Sequence, residues 1–198
     1  MAFAKMRDST KTKKRTRRNR IAIFIDAANI FYSQKSLGWR LDYKKFLDYW
    51  DKQGKITGAY FYTAVISSNK KQLDFFKALK KIGYDVITRE VKVIHDKRNK
   101  TIVHKGNFDV KLAIDIVLKV KEFDVAVLAS GDSDFEPAVE YLKSEQKKII
   151  IVSARGHVAQ ELIKCATRYL PLEKIKEEVQ KGSNKKSPPI ARGEVRYV

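Results

Sequence analysis

Near its N-terminus the chain runs Ile21-Ala22-Ile23-Phe24-Ile25-Asp26-Ala27-Ala28-Asn29, an apolar segment that ends in an aspartate. Five consecutive apolar residues, three of them isoleucine, are typical of a strand that is buried on both faces, as in a parallel sheet. The pattern after Asp26 predicts a helix over residues 28–37. Asp26 is therefore expected at the carboxyl end of the first strand, with Asn29 in the first turn of the helix that follows.

Strands and helices alternate along the rest of the chain. The residue pattern predicts further strands at 58–65, 84–93, 124–129, 148–152 and 169–170, and further helices at 43–51, 70–82, 109–120, 134–144 and 158–166. This alternation predicts an α/β fold with a mostly parallel central sheet and helices on both faces. In such sheets ligands bind beyond the carboxyl ends of the strands, where the strand order reverses. We expect the strand at 124–129 to adjoin the first strand at that point.

One segment departs from the alternation. Two β-branched runs, Val91-Lys92-Val93-Ile94 and Thr101-Ile102-Val103, flank the polar turn Asp96-Lys97-Arg98-Asn99-Lys100. This pattern predicts a β-hairpin insertion with a basic tip. We expect Lys97, Arg98 and Lys100 to contact the phosphates of a polynucleotide, with a merely solvated loop as the alternative.

The formal net charge of +19 indicates a polyanionic partner. Residues 1–20 carry nine lysines and arginines against one aspartate, and residues 181–198 carry five against one glutamate, so the body between them is also basic. We favour nucleic acid over a charge that only aids solubility, because body and tails agree in sign. The boundaries predicted from composition are a disordered basic arm at 1–19, one domain at 20–180 and a basic linker-like tail at 181–198.

Cysteine content and hydropathy limit the cellular context. The single cysteine, Cys165, has no partner for an internal disulfide, which fits a reducing cytoplasm. No stretch approaches the roughly 20 apolar residues that span a bilayer, and the basic N-terminus lacks the apolar core of a secretory signal. We therefore expect a cytoplasmic protein without a membrane partner.

Aspartates gather at the predicted carboxyl edge of the sheet. Asp132 and Asp134 follow the strand at 124–129, and Asp109 begins the helix after the hairpin. An aspartate between a strand and a helix is often an N-cap that contributes ~1 kcal/mol. The turn at Asp132 and Asp134 has one carboxylate more than a single cap needs, and both residues should lie beside Asp26.

A metal site explains such a group better than capping alone. Like charges ~4 Å apart repel by roughly 4 kcal/mol at an effective dielectric near 20. A hard divalent cation removes that cost and prefers oxygen ligands. The sequence therefore predicts a cation site formed by aspartates from distant parts of the chain.

Three blocks of the sequence resemble the signature blocks of the NYN domains, and more narrowly the LabA-like branch of the PIN-like nuclease superfamily. The blocks are Ile23-Phe24-Ile25-Asp26-Ala27-Ala28-Asn29, Lys105-Gly106-Asn107-Phe108-Asp109 and Ala129-Ser130-Gly131-Asp132-Ser133-Asp134-Phe135. The resemblance extends from about residue 21 to 171. It implies a three-layer PIN-like fold and metal-dependent ribonuclease activity, with Asp26, Asp109 and Asp132 as metal-binding acids and Asn29 and Asp134 in support.

This chain departs from the family pattern in the second block. It has Asn107-Phe108 where a Gly-Val-Asp type of sequence is more common. The hairpin before that block also distinguishes this chain. We expect these differences to affect the choice of substrate.

The expected chemistry follows from these residue types. One or two Mg²⁺ or Mn²⁺ ions would hold the scissile phosphate and lower the pKa of an attacking water. Asp26 and Asp132 are predicted as direct ligands, and Asp109 as a ligand or a water-positioning base. Asn29 can orient a ligand but cannot act as a base. Asp115 is a weaker candidate, because it lies about 240° from Asp109 around a helix of 3.6 residues per turn.

The predicted partner is RNA, single-stranded or structured, and a homodimer is left open. Lys105 and Arg155 are the further residues predicted to contact phosphate, with a solvated side chain as the alternative for Lys105. A rival interpretation is an RNA-binding module with an idle site on the same fold. A phosphatase of the haloacid dehalogenase type would need a second aspartate where Ala28 stands. A dinucleotide-binding domain would need a glycine-rich turn that this chain lacks.

Overall fold

A computed structural model describes residues 18–90, 92–96, 101–105 and 108–182, of which 92–96 and 101–105 are described by their backbone alone. The strands are β1 (Arg20–Asp26), β2 (Lys55–Val65), β3 (Asp85–Glu90), β4 (Lys92–Asp96), β5 (Thr101–Lys105), β6 (Val125–Ala129), β7 (Lys148–Ser153) and β8 (Arg168–Pro171). The helices are α1 (Ala27–Leu37), α2 (Tyr43–Asp51), α3 (Lys70–Lys81), α4 (Asp109–Leu118), α5 (Glu136–Ser144), α6 (Gln160–Cys165) and α7 (Lys176–Val179). The predicted arm and tail lie almost wholly outside the described residues, so their boundaries stay predictions.

The central sheet has six strands in the order β3-β2-β1-β6-β7-β8, and all neighbouring strands are parallel. β4 and β5 form a separate antiparallel pair, which confirms the predicted hairpin. The strand order reverses between β1 and β6, where Ile25 pairs with Ala129. The residues that follow these two strands therefore emerge side by side at the carboxyl edge, as the sequence predicted.

Helices cover both faces of the sheet because β1 buries both of its faces. Ile21, Ile23 and Ile25 pack into one apolar core and Ala22 and Phe24 into the other. The first core also takes buried side chains from α1, α2, α3 and α7, and the second takes them from α4, α5 and α6. The result is the predicted three-layer α/β architecture.

The helices are short, and their ends follow local sequence. Asp42 Oδ1 accepts hydrogen bonds from the backbone N–H of Lys44 at 3.0 Å and of Lys45 at 3.2 Å, as expected of the N-cap of α2. Gly83 follows α3 with a φ of 104°, a conformation that favours glycine. Within the described ranges, no helix is long and apolar enough to cross a membrane.

Two predicted elements differ from the structure. The strand predicted over 84–93 is divided, because β3 pairs with β2 only as far as Glu90, opposite Val65, the last residue of β2. The chain then enters β4. The helix predicted over 134–144 begins instead with a 3₁₀ turn, Ser133–Phe135, before α5.

Candidate metal centre

Three carboxylates meet where the strand order reverses. Asp109 is the first residue of α4, Asp132 precedes the 3₁₀ turn, and Asp134 lies within that turn. Each offers one carboxylate oxygen, and these oxygens lie within 4.8 Å of one another. Asp109 and Asp132 are half-buried, and Asp134 is exposed. We call these three residues the acidic cluster.

Backbone geometry at the 3₁₀ turn brings Asp132 and Asp134 together. Asp132 caps the turn, because its Oδ1 accepts a hydrogen bond from the backbone N–H of Asp134 at 3.0 Å. The backbone N–H of Asp132 itself donates to the hydroxyl of Ser130 at 3.3 Å. The sequence offered helix capping and a metal site as alternative roles for these aspartates. In the structure Asp132 both caps the turn and belongs to the acidic cluster.

Asp26 lies beside the acidic cluster, held by three hydrogen bonds. Its Oδ1 accepts from the backbone N–H of Ala28 at 3.0 Å and of Asn29 at 3.2 Å, and its Oδ2 accepts from the hydroxyl of Ser130 at 3.0 Å. Burial raises the pKa of the Asp26 carboxyl and the charge of Asp132 adds to that rise, while the three hydrogen bonds oppose it. Asp26 does not belong to the group whose oxygens lie within 4.8 Å. Its role as a direct ligand stays a prediction.

Ser130 links the two strands at the switch point, and sequence reasoning missed it. Its buried hydroxyl donates to Asp26 and accepts from the N–H of Asp132. The available signal was its position, directly after a buried strand and two residues before an aspartate. Such a hydroxyl can hydrogen-bond both to a neighbouring strand end and to its own loop.

Gly131 allows the loop after β6 to pack against the loop before α6. A Cβ atom at this position would lie 1.8 Å from the carbonyl oxygen of His157. The backbone N–H of Ala159 also donates to the carbonyl of Gly131 at 2.8 Å. Only glycine permits this approach, so the third sequence block carries a glycine for a packing reason.

The side chain of Asn29 hydrogen-bonds at the end of β7, while its backbone N–H donates to Asp26. Its Oδ1 accepts a hydrogen bond from the hydroxyl of Ser153 at 3.3 Å, and the same hydroxyl lies 2.9 Å from the carbonyl oxygen of His157. Ser33 adds a further buried hydroxyl 3.4 Å from that of Ser153. These serines were not singled out from the sequence, because nothing local signals that β7 and α1 meet.

An open groove of about 840 Å³ borders the acidic cluster. The lining residues come from α4, the 3₁₀ turn, α5 and α6, and are Asp109, Val110, Ala113, Ile114, Ser133, Asp134, Glu136, Pro137 and Glu161. Four of these residues are apolar, and the four charged ones are all acidic. In a chain of net charge +19 this groove is a local reversal of sign, so a polyanion would need a cation there.

The remaining predicted residues separate into three groups. Lys97, Arg98 and Lys100 lie outside the described residues, and Lys105 ends β5 in a segment described by its backbone alone. Arg155 is exposed and follows β7 at the carboxyl edge, where its backbone N–H donates to Glu173 Oε1 at 3.0 Å.

Asp115 is bonded to two neighbouring side chains and does not belong to the acidic cluster. Its Oδ2 accepts a hydrogen bond from the hydroxyl of Tyr62 at 2.9 Å, and its Oδ1 pairs with the ammonium group of Lys111. Its buried position on α4 agrees with the prediction that it cannot share a helix face with Asp109.

The donor set fits a hard divalent cation. Mg²⁺ binds oxygen ligands at 2.0–2.1 Å, so two oxygens on opposite sides of the ion are about 4.2 Å apart. The separations within the acidic cluster, up to 4.8 Å, are close to that span. The three donors are all carboxylates, without the thiolate or imidazole ligands typical of zinc.

Comparison with known proteins agrees with this architecture. The chain is 38% identical over 168 residues to the low amplitude and bright protein LabA of Synechococcus elongatus, covering 83% of this chain and 90% of that protein. Its fold is similar to the crystal structure of a protein of unknown function from Vibrio parahaemolyticus, with a TM-score of 0.70 and 24% identity over 84% of this chain and 98% of the other. The model of the NYN domain matches residues 20–173. The chain therefore belongs to the NYN domain family of PIN-like nucleases.

Proposed function

We propose that this protein is a metal-dependent ribonuclease that hydrolyses phosphodiester bonds of RNA at the acidic cluster. The observation that carries the proposal is the meeting of Asp109, Asp132 and Asp134 within 4.8 Å, at the switch point of an NYN domain. Carboxylates so close together repel one another, and binding of a divalent cation removes that cost.

In this proposal Asp109, Asp132 and Asp134 hold the ion. Asp26 remains among the proposed metal-binding acids, because the charge of Asp132 is near enough to raise the pKa of the Asp26 carboxyl. When bound, Mg²⁺ or Mn²⁺ supplies the positive charge that orients the scissile phosphate and lowers the pKa of the attacking water. Asp26 holds the Ser130 hydroxyl, which in turn accepts from the backbone of Asp132 and fixes its position. Asn29 orients water or substrate through its amide.

We also propose RNA as the substrate and the cytoplasm as the location. The net charge of +19 supports a polyanion, and the NYN family supports a nucleic acid. Arg155, at the carboxyl edge, and the hairpin residues Lys97, Arg98, Lys100 and Lys105 are proposed phosphate contacts.

The decisive experiment is a cleavage assay on labelled single- and double-stranded RNA and DNA, with Mg²⁺, with Mn²⁺ and with EDTA. We expect RNA cleavage that EDTA stops and that Asp132→Asn abolishes. Asn keeps the oxygen that caps the 3₁₀ turn, so the melting temperature of this variant should be unchanged or raised. Asp74→Asn, an exposed carboxylate on α3, is the matched control and should keep full activity.

Two outcomes would count against the proposal. Cleavage that persists in EDTA would exclude the metal mechanism. Tight RNA binding without turnover in either metal would indicate an RNA-binding module on the same fold.

A further inference from the structure

We propose that this chain forms a two-fold symmetric dimer, in which α4 of one copy packs antiparallel against α4 of a second copy. The surface that carries the proposal is one face of α4, formed by Val110, Ala113, Ile114, Val117 and Leu118. We call these five residues the apolar stripe. The proposal does not depend on the proposed function, because it is argued from burial and charge on this surface.

The apolar stripe faces outward although every residue in it is apolar. Val110 is 70% exposed, Ile114 49% and Leu118 74%, and the other two are half-buried. The spacing i, i+3, i+4, i+7 and i+8 places the five side chains on one face of the helix. The opposite face of α4 already contributes Leu112 and Ile116 to the core. A helix that is apolar on both faces is normally covered on both, so the stripe indicates a docking surface.

Exposed apolar side chains extend from α4 onto α5, which packs beside it. Among the residues that the structure describes, the two most exposed large hydrophobic side chains are Leu118 and Val110. On α5, Pro137 lines the open groove together with Val110 and Ile114. Tyr141, 40% exposed, lies one turn further along the same face of α5. The docking surface therefore includes both helices.

Charge divides this surface into two ends. At the carboxyl edge of the sheet, where α4 and α5 begin, the charged residues that line the groove are Asp109, Asp134, Glu136 and Glu161. At the amino edge, where the two helices end, the lysines are Lys119, Lys121, Lys143, Lys147 and Lys148, and the glutamates are Glu122 and Glu145. Arg20 and Asp124 pair with each other at that edge. One end of the surface is therefore acidic and the other is basic.

This division of charge fits a second copy of the same chain. A two-fold axis across the middle of α4 places the acidic end of each copy against the basic end of the other. Such an interface is self-complementary, because each contact occurs twice. Opposite charges across an interface favour the matching orientation, and like charges disfavour the others. Parallel pairing of the two helices would bring the two acidic ends together.

A polyanion fits the same surface less well. An anionic membrane or an RNA strand laid along α4 would meet the acids of the groove and be repelled by them. The side chains of the apolar stripe are also all aliphatic, so the stripe offers no aromatic ring on which a base would stack. The second copy therefore accounts for both the apolar character and the charge.

The antiparallel arrangement has a definite register. Ile114 lies midway between Val110 and Leu118 along the helix, so the axis would pass beside Ile114 and bring this residue against its own copy. Val110 of each chain would then contact Leu118 of the other. At about 1.5 Å per residue, these contacts extend over about 12 Å of helix.

Sedimentation velocity of RNA-free protein in EDTA, at about 1 to 100 μM, measures the oligomeric state. We expect a concentration-dependent dimer. Ile114→Asp places two carboxylates against each other at the axis and should raise the Kd of the dimer at least about 10-fold. The matched control is Leu73→Asp, which introduces the same charge at an exposed apolar position of α3, on the other face of the sheet. This control should leave the Kd unchanged.

Two further variants test the orientation. Val110→Lys and Leu118→Asp each place a charge against an apolar side chain, so each alone should dimerise weakly. Mixed in equal amounts they should form a heterodimer, because the introduced ammonium and carboxylate groups then face each other and the second Val110–Leu118 contact is intact. Parallel pairing would bring position 110 against position 110 and give no such recovery. Thermal melts check that each variant is folded.

The outcomes separate this proposal from the proposed function. A monomer at every concentration, or a dimer that Ile114→Asp leaves unchanged, would overturn the proposal. A dimer of the unmodified chain without recovery in the mixture would overturn the antiparallel arrangement. A chain that dimerises but never cleaves RNA would keep the interface and lose the nuclease, and a monomer that cleaves RNA would do the reverse.

Discussion

The hydroxyl of Ser130 donates a hydrogen bond to Asp26 Oδ2 at 3.0 Å and so joins the end of β1 to the loop that follows β6. The hydroxyl oxygen of Ser130 in turn accepts a hydrogen bond from the backbone N–H of Asp132 at 3.3 Å. Two acids that are more than a hundred residues apart along the chain are thus positioned by one buried side chain.

Ser130→Ala tests this arrangement. Loss of the hydroxyl leaves a buried carboxylate oxygen without its donor, which should cost about 1–3 kcal/mol of stability. The hydrogen bond lowers the pKa of Asp26, so its removal should raise that pKa and shift the acidic limb of the cleavage pH profile to higher pH. The exposed Ser144→Ala is the control, and an identical profile for the two variants would refute a positioning role for Ser130.

Asp26→Asn should change the dependence of stability on pH. Burial raises the folded-state pKa of Asp26 above its unfolded value, so its favourable contribution is complete below the unfolded pKa and is lost as pH rises through the folded pKa. Asn mimics the neutral carboxyl and still accepts the two backbone hydrogen bonds of the cap. Urea unfolding between about pH 4 and pH 8 should show a smaller decline for the variant than for the unmodified chain. Parallel curves would mean that Asp26 has the same pKa in both states.

Gly131→Ala should disrupt both stability and activity. The added methyl would meet the His157 carbonyl, so one of the two loops must move, and overpacking of this kind costs about 1–3 kcal/mol or more. The move would displace Asp132 from the acidic cluster and reduce cleavage. Thermal melts and cleavage rates check both effects. Gly182→Ala, where a Cβ meets nothing within 4 Å, should behave like the unmodified chain.

Divalent ions should stabilise the folded chain through the acidic cluster. A ligand at 100 times its Kd adds about 2.7 kcal/mol, which a thermal melt in Mn²⁺ detects. Asp109→Asn should lose most of this gain, measured for each chain as the difference between its melting temperatures in Mn²⁺ and in EDTA. Asp74→Asn should keep the full gain. A gain that survives in Asp109→Asn would place the ion elsewhere.

Asp115→Asn should give the opposite pattern. This carboxylate is hydrogen-bonded to Tyr62 and paired with Lys111, and hydrogen bonds to charged groups contribute about 1.5–3 kcal/mol. We therefore expect a lower melting temperature with the cleavage rate per folded molecule retained. A selective loss of cleavage at unchanged stability would bring Asp115 into the catalytic site.

The sheet and the edge that carries the site could be predicted because they depend on local pattern. The apolar runs of β1 and β6 mark buried parallel strands, and the connection rules place their carboxyl ends together. The membership of the acidic cluster could not be predicted in the same way. Asp134 joins it through a 3₁₀ turn that Asp132 caps, and the turn replaces the first turn of the predicted helix.

The supporting contacts depend on pairs of residues far apart in the chain. The Asn29–Ser153 hydrogen bond and the approach of Gly131 to His157 require the packed positions of β7 and α6. Neither residue pair has a signature of spacing or composition. Sequence reasoning therefore predicted the sheet edge that carries the acidic cluster, but not the side chains that hold the cluster in place.

The close packing of Gly131 against the loop before α6 has a consequence for the synthesis of the chain. A nascent chain that has emerged only as far as α5 already contains all three carboxylates of the cluster, but not the segment against which the Asp132 loop rests. Domains form as their segments leave the ribosome, N-terminal parts first. We expect the acidic cluster to reach its final geometry only after residues 154–159 have been translated, late in the synthesis of the chain.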